Sequence, residues 1–169
     1  ALLQLEITDE NGEKQLICSD ENWKYSFDGP VRKADLFLGE TYDARMYDGE
    51  PSKAEYDDTK WLSVKTHGMD NPMPEAQISP LAKIFAEVPA QKVFTAPNGE
   101  TVVDFGQNLA GTIRVKIREE NGAEVKFEHG ENLDSDGNFF YIFGGTSRAQ
   151  EDIYICGEAQ EEIFEPGFT

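Results

Sequence analysis

GTIRVKIREENGAEVKFEH, residues 111–129, is the stretch that decides the fold class. Ile113, Val115 and Ile117 alternate with Arg114, Lys116 and Arg118, the two-residue period of a strand with one dry face and one wet face. Asn121-Gly122 then interrupts the run with a pair that readily adopts the left-handed conformations of a tight turn. Beyond it Val125 and Phe127 resume the alternation, pointing inward by the same rule.

The pattern repeats outward in both directions. QKVFTA and TVVDFG flank PNGE, and LLQLEIT and KQLICS flank DENGEK, so that two Asn-Gly hairpins are expected. WKYSF, KADLFLG, WLSVKTH, EDIYIC and EEIFEP read as further strands separated by Gly, Pro or acidic turns. LAKIFAEV, residues 81–88, has a composition that suits a helix, but Pro80 and Pro89 bracket it and strand patterns lie on either side; a strand is expected. The pattern fades from Met46 to Asp58, and YDDTKW has room for one helical turn. Residues 68–80 carry Pro72, Pro74 and Pro80 without periodicity and read as a linker. No amphipathic helix is expected anywhere. Many short strands joined by tight turns predict an all-β, antiparallel β-sandwich or jelly roll.

Composition narrows the function classes. The chain has 169 residues, 11 Phe, 6 Tyr and 2 Trp, enough for a packed interior. Its net charge of -18 repels phosphate backbones and no basic stripe offsets it, so no nucleic-acid partner is expected. No apolar run approaches the roughly 20 residues a spanning helix needs, so no membrane partner is expected either. Cys18 and Cys156 stand far apart, each ending a strand-like run, and read as small buried hydrophobes. With His67 and His129 equally scattered, no zinc site or Cys–His pair is spelled out. Free-looking cysteines point to a cytoplasmic location, with secretion the alternative if a signal peptide preceded this stretch. The opening ALLQLEITDENG lacks an initiator Met and begins in mid-strand, as an excised piece of a longer protein would.

Three stretches invite a chemical reading. VVDFGQNLAGTIRV, residues 102–115, contains Asp104-Phe105-Gly106, the triplet that holds magnesium in protein kinases. A kinase also needs a glycine-rich loop, a strand lysine and a catalytic-loop Asp, none of which accompanies it. Glycines inside a strand mark a kink, where Asp104, Gln107 and Asn108 would satisfy bared backbone groups. ENLDSDGNFF spaces Asn132, Asp134 and Asp136 ahead of Gly137 as a calcium loop does, making Asp134 and Asp136 the candidate metal ligands. Phe143 stands where the bidentate Glu would be, and a plain turn needs no metal. GETYDAR, residues 39–45, sets Glu40, Asp43 and Arg45 around Tyr42. Planar polar groups beside an aromatic face can grip sugar hydroxyls, and the same groups can pin a strand end. Trp23 and Trp61 are the other aromatics on which a sugar could stack. There is no GxSxG elbow and no phosphate-binding loop, and geometry alone could select a catalytic pair from 33 acidic residues.

In order along the chain, Trp23-Lys24, Gly29-Pro30, GETYDAR, VVDFGQNLAGTIRVKI, FEHGENLDSDGNFF and EEIFEPGFT resemble the successive signatures of the bacterial α-L-rhamnosidases, glycoside hydrolase family seventy-eight. The resemblance runs from about Leu3 to Thr169. It implies two regions on either side of a linker at 68–80: the C-terminal half of an N-terminal jelly roll over 1–67, and a concanavalin-like sandwich over 81–169 lacking its last strand. It implies an accessory region without the helical barrel in which the family cleaves terminal rhamnose with inversion, and therefore no catalytic residues here and no cofactor, calcium being the exception that some relatives bind. The expected partners are the catalytic and other domains of a parent enzyme and, at open sheet edges, a second copy of the chain. The alternative is a carbohydrate-binding module for rhamnose or a related sugar. An exposed aromatic beside the GETYDAR cluster would mark the module and a buried one the support.

Overall fold

The structure, a computed structural model, describes residues 2–68, 75–140 and 150–167. Along the chain its strands are β1 (Gln4–Thr8), β2 (Lys14–Cys18), β3 (Lys24–Tyr25), β4 (Val31–Asp35), β5 (Gly39–Asp43), β6 (Leu62–Ser63), β7 (Lys92–Thr95) and β8 (Thr101–Asp104). They continue as β9 (Val115–Ile117), β10 (Glu124–Glu128), β11 (Asn132–Leu133), β12 (Phe139–Phe140), β13 (Glu151–Ile155) and β14 (Glu162–Phe164). A single 3-10 turn, Ala44–Met46, is the helical exception among the described residues. No helix among them is long and apolar enough to cross a membrane.

The chain divides into two compact units, Ala1–Asp28 with Gly49–Ser79, and Gly29–Asp48 with Pro80–Thr169. In the first, β1 and β2 pair antiparallel with Ile7 opposite Gln15 and Thr8 opposite Lys14. Gly12 closes their turn at φ 83°, while Asp9 Oδ1 accepts the backbone N–H groups of Asn11 and Glu13. β3 pairs with β6, and Lys24 Nζ reaches Asp58 Oδ1 at 2.8 Å. YDDTKW makes one turn, Trp61 N donating to Asp58 O, and no helix. Cys18, expected to be buried, is exposed on a strand whose neighbours are nearly all exposed.

The second unit is a sandwich. Its four-stranded sheet has the order β10-β13-β5-β4, and a two-stranded sheet pairs β14 with β9. The pairs are antiparallel except β5 with β13, which run parallel. Chain segments β9–β10 and β13–β14 each pass from one sheet to the other, and side chains of both sheets share one core. Ile117, Tyr154, Cys156 and Phe164 form the buried core between them, with Tyr42, Ala44, Val115, Ala123, Val125 and Phe127 packed around it. The alternation read in 111–129 therefore holds for Val115, Ile117, Val125 and Phe127, although the regular strand begins at Val115. β7 and β8 form the expected Asn-Gly hairpin, with Gly99 at φ 91°.

Two strand expectations are corrected. Residues 81–88, LAKIFAEV, form no regular element and are exposed throughout, because no neighbouring strand offers them a ladder and their apolar residues follow no two-residue period. KADLFLG is a strand only to Asp35, whose Oδ1 accepts the N–H groups of Phe37 and Leu38 and turns the chain into β5.

Candidate functional site on the core face of β5 and β13

The parallel register sets Thr41 beside Ile153, Tyr42 beside Tyr154 and Asp43 beside Ile155. Alternation then puts Glu40 and Tyr42 on the core face with Asp152, Tyr154 and, from β10, Val125 and Phe127. Tyr42 and Tyr154 stack with ring centroids 5.6 Å apart and planes 8° from parallel, and Phe164 closes on Tyr154 at 4.9 Å. The aromatic beside the GETYDAR cluster is thus half-buried, packed against the core rather than within it. Burial raises the Tyr42 hydroxyl above the usual tyrosine range and pushes Tyr154 up to about 12, with the Glu162 carboxyl adding to the latter.

One rung from the tyrosines the same face carries acids. Glu40 is 3% exposed and Asp152 is fully buried. Asp152 Oδ1 accepts the Glu40 backbone N–H at 2.8 Å, its Oδ2 meets His129 Nε2 at 3.0 Å, and Glu40 Oε2 accepts the Gly167 N–H at 3.1 Å. The carboxyls thereby tie β5 to β13, β13 to the end of β10, and the tail after β14 back to β5. No buried side-chain nitrogen or oxygen among the described residues lacks a hydrogen-bond partner, which is what makes polar groups tolerable at this depth. Burial raises the Glu40 carboxyl above its ordinary value, the Gly167 N–H opposes this, and nearby Asp152 adds to it. Sequence reasoning singled out Glu40 but missed Asp152 and His129. The signal was in EDIYIC: Asp152 falls in phase with Tyr154 and Cys156, a charged residue on a core parity.

The remaining candidates have other surroundings. Asp43 and Arg45 form a fork at the end of β5, Nε to Oδ1 and Nη2 to Oδ2, both at 2.8 Å. Oδ1 of Asp43 also accepts the Arg45 backbone N–H, and the Arg45 guanidinium foremost holds this carboxyl below the usual range. Trp23 and Trp61 belong to the other compact unit, where Trp61 meets Tyr56 edge-on at 5.6 Å and Trp23 is 38% exposed. In the Asp104 stretch, Gly106 at φ 73° donates to Asp104 Oδ1 at 2.7 Å, and this turn ends β8; the kinked strand expected there is not formed, since no strand resumes before Val115. Asn108, Leu109, Ala110 and Glu131 line a recess of about 380 Å³. Asp134 accepts the N–H groups of Asp136 and Asn138 and turns β11 into β12, so its carboxylate is engaged within its own hairpin; Asp136 sits exposed at the tip. Among the described residues no group of three or more His, Cys, Asp or Glu could hold a metal, and Phe143 lies outside the described residues.

Two family models match this chain, the α-L-rhamnosidase N-terminal domain over residues 1–86 and the bacterial α-L-rhamnosidase concanavalin-like domain over residues 94–169. The chain belongs to the bacterial α-L-rhamnosidase family. It is 37% identical to the α-L-rhamnosidase of Streptomyces avermitilis, the alignment covering 99% of this chain and 16% of that protein. An α-L-rhamnosidase of Formosa agariphila is 33% identical, with 99% of this chain and 18% of that protein covered. The crystal structure of the Streptomyces avermitilis α-L-rhamnosidase complexed with L-rhamnose superposes at a TM-score of 0.85 over 99% of this chain and 16% of that one. The α-L-rhamnosidase structure from Dictyoglumus thermophilum, 31% identical, gives 0.87 over 99% of this chain and 19% of that one. The chain therefore spans less than a fifth of the length of these relatives.

Within this rhamnosidase-family sandwich Glu40 offers a pH test. Its folded form takes up a proton at higher pH than the unfolded chain does, so its contribution to stability is present below the ordinary glutamate range and is lost as pH rises through the raised value. Glu40→Gln keeps an acceptor for the Gly167 N–H and removes the titration. Comparing urea midpoints from about pH 4 to about pH 8, we expect the variant to gain on the unsubstituted chain as pH rises. A pH-independent difference would show that Glu40 titrates alike in both states.

Proposed function

We propose that this chain is a non-catalytic accessory β-sandwich region of an α-L-rhamnosidase, an enzyme that releases terminal α-L-rhamnose from glycosides with inversion, and that it supports the helical barrel where that chemistry takes place. The observation that carries the proposal is the engagement of the GETYDAR groups within the fold. Tyr42 stacks on Tyr154, Glu40 holds Gly167, and Asp43 grips Arg45. A sugar site needs polar groups and an aromatic face turned to solvent. An inverting hydrolase needs two carboxyls about 6.5–9.5 Å apart with room between them for water and substrate. Glu40 and Asp152, the two acids that share a buried face, are 3% and 0% exposed.

A support role also accounts for the chemistry of the seam. Buried carboxyls bonded to backbone N–H groups fix strand register more sharply than apolar contacts do, because a slipped register would leave them unpaired. The test is a titration of L-rhamnose into the purified chain, with hydrolysis of an aryl α-L-rhamnoside assayed on the same sample. The expected result is neither saturable heat nor turnover.

A further inference from the structure

Asn-Gly pairs stand at Asn11-Gly12, Asn98-Gly99 and Asn121-Gly122, and each makes a turn. The dipeptide carries a chemistry of its own besides its turn geometry. The asparagine side-chain amide is an electrophile, and a glycine after it lets the next main-chain nitrogen swing onto it. All of these asparagines are exposed, so exposure does not rank them. Their bonding does.

Asn98 is held by main chain and side chain alike. Its N–H donates to Asn138 Oδ1 at 2.9 Å, its Nδ2 donates to Glu100 Oε2 at 2.8 Å, and its Oδ1 accepts the Glu100 N–H at 3.1 Å. At Asn121 the attacking atom is tied instead: Gly122 N donates at 2.8 Å to the carbonyl of Cys156, a fully buried residue. Asn11 has neither restraint. Its side chain makes no hydrogen bond among the described residues, and Gly12 N donates to Asp9 O within the same turn at 3.1 Å. β1 is exposed along its whole length and β2 nearly so. A two-stranded ribbon is marginal in water, so this turn opens without disturbing a core. Nothing lies within 4 Å of the Gly12 Cβ position, which leaves room for a ring.

We propose that Asn11 is a site of spontaneous covalent modification, deamidation through a succinimide, with water as the co-reactant. Gly12 N bonds to Asn11 Cγ, the Cγ–Nδ2 bond breaks, and the Gly12 amide proton leaves with the side-chain nitrogen as ammonia. Water then opens the imide at either carbonyl, and nothing is oxidised or reduced. One opening gives aspartate; the other gives isoaspartate, in which the main chain runs through the former side chain. Either product sets a new carboxylate among Asp9, Glu10 and Glu13 on a chain already at -18. Isoaspartate also lengthens the turn that sets Thr8 opposite Lys14.

Peptide mapping by mass spectrometry tests it, on the 169-residue chain incubated at mildly alkaline pH with and without urea. In the native chain Asn11 is expected to convert about tenfold or more faster than Asn98 or Asn121, whose bonds must break first. In urea the rates should converge, because the dipeptide is the same. Asn98 or Asn121 keeping pace with Asn11 in the native chain would overturn the proposal. A difference that persisted unchanged in urea would overturn it too, since it would belong to neighbouring residues and not to the fold. Glu100→Ala frees Asn98 Nδ2 and is expected to quicken conversion at Asn98 while leaving Asn11 as it was. An unchanged rate at Asn98 would overturn the bonding as the cause of the order.

Discussion

Replacing Phe164 with alanine is expected to destabilise the sandwich unit by about 3–5 kcal/mol, the usual range for deleting a buried phenyl ring. Phe164 is 2% exposed and belongs to the core in which the two sheets meet. It comes from β14, and its ring touches Tyr154 of β13 at 4.9 Å, Phe127 of β10 at 5.7 Å and Tyr42 of β5 at 6.3 Å. Among the described residues no other ring reaches all three, and the cavity left behind would be lined by Tyr42 and Tyr154, stacked on each other, and by Phe127. A domain of this size has about 5–15 kcal/mol of stability in total, and the loss would therefore move much of the population out of the native state under mild urea. Both tryptophans lie in the other unit, so the transition is best followed by circular dichroism. Phe164→Leu should lose distinctly less, because it keeps part of the volume. An alanine variant with an unchanged midpoint would mean that the sheets do not pack through this ring.

The second large effect is expected at Gly39. Its φ of 89° lies in the left-handed region, where a residue with a Cβ is strained by about 1–3 kcal/mol. The added Cβ would also run into the backbone of β13, 2.7 Å from the carbonyl carbon of Glu151 and 3.0 Å from Asp152 Oδ1. A carbonyl in a parallel seam cannot swing aside as a lysine end can. The strands would have to part where Gln150 N bonds Phe37 O and Glu40 N bonds Asp152 Oδ1. Gly99 supplies the control. Its φ is 91° and nothing lies within 4 Å of its Cβ position, so Gly99→Ala isolates the conformational term at about 1–2 kcal/mol. We expect Gly39→Ala to lose about 3 kcal/mol or more, read as the shift in urea midpoint and slope. Equal losses at the two glycines would remove the case for a tight seam.

These two residues also separate what the sequence made legible from what it did not. Hairpin turns are written in a few neighbouring residues. Asn11-Gly12 and Asn98-Gly99 could be located because glycine chemistry and flanking alternation suffice. The same logic is incomplete at Asn121-Gly122. It joins two alternating runs, yet Gly122 N donates to Cys156 O and the runs enter different sheets. Whether such a turn folds a ribbon or arches across a core depends on which strands arrive from elsewhere. The β5–β13 pairing joins positions more than a hundred residues apart, and no local pattern announces it. Consequently nothing in GETYDAR told that Glu40 and Tyr42 would face inward while Asp43 and Arg45 closed on each other. The long apolar segment at 81–88 erred the other way: its composition suggests burial, and it is exposed because a strand needs a partner as well as hydrophobic residues.

The electrostatic character of the seam follows from the same topology. Asp152 is tolerated at a core position because its carboxyl is engaged there, Oδ1 by the Glu40 N–H and Oδ2 by His129 Nε2. Buried hydrogen bonds of this kind weigh more than exposed pairs such as Lys14 with Glu6, which contribute little. The sandwich is thus held by a few buried contacts of high consequence around β5, β13 and β14.

The claim that this region supports rather than binds is tested most directly by isothermal titration of L-rhamnose into the purified 169-residue chain, first with calcium and then with EDTA. The account predicts heats of dilution only, in both buffers, with the aryl α-L-rhamnoside left intact. Saturable heat in either buffer would contradict it, and heat lost on adding EDTA would turn attention to a calcium-dependent sugar site on this chain.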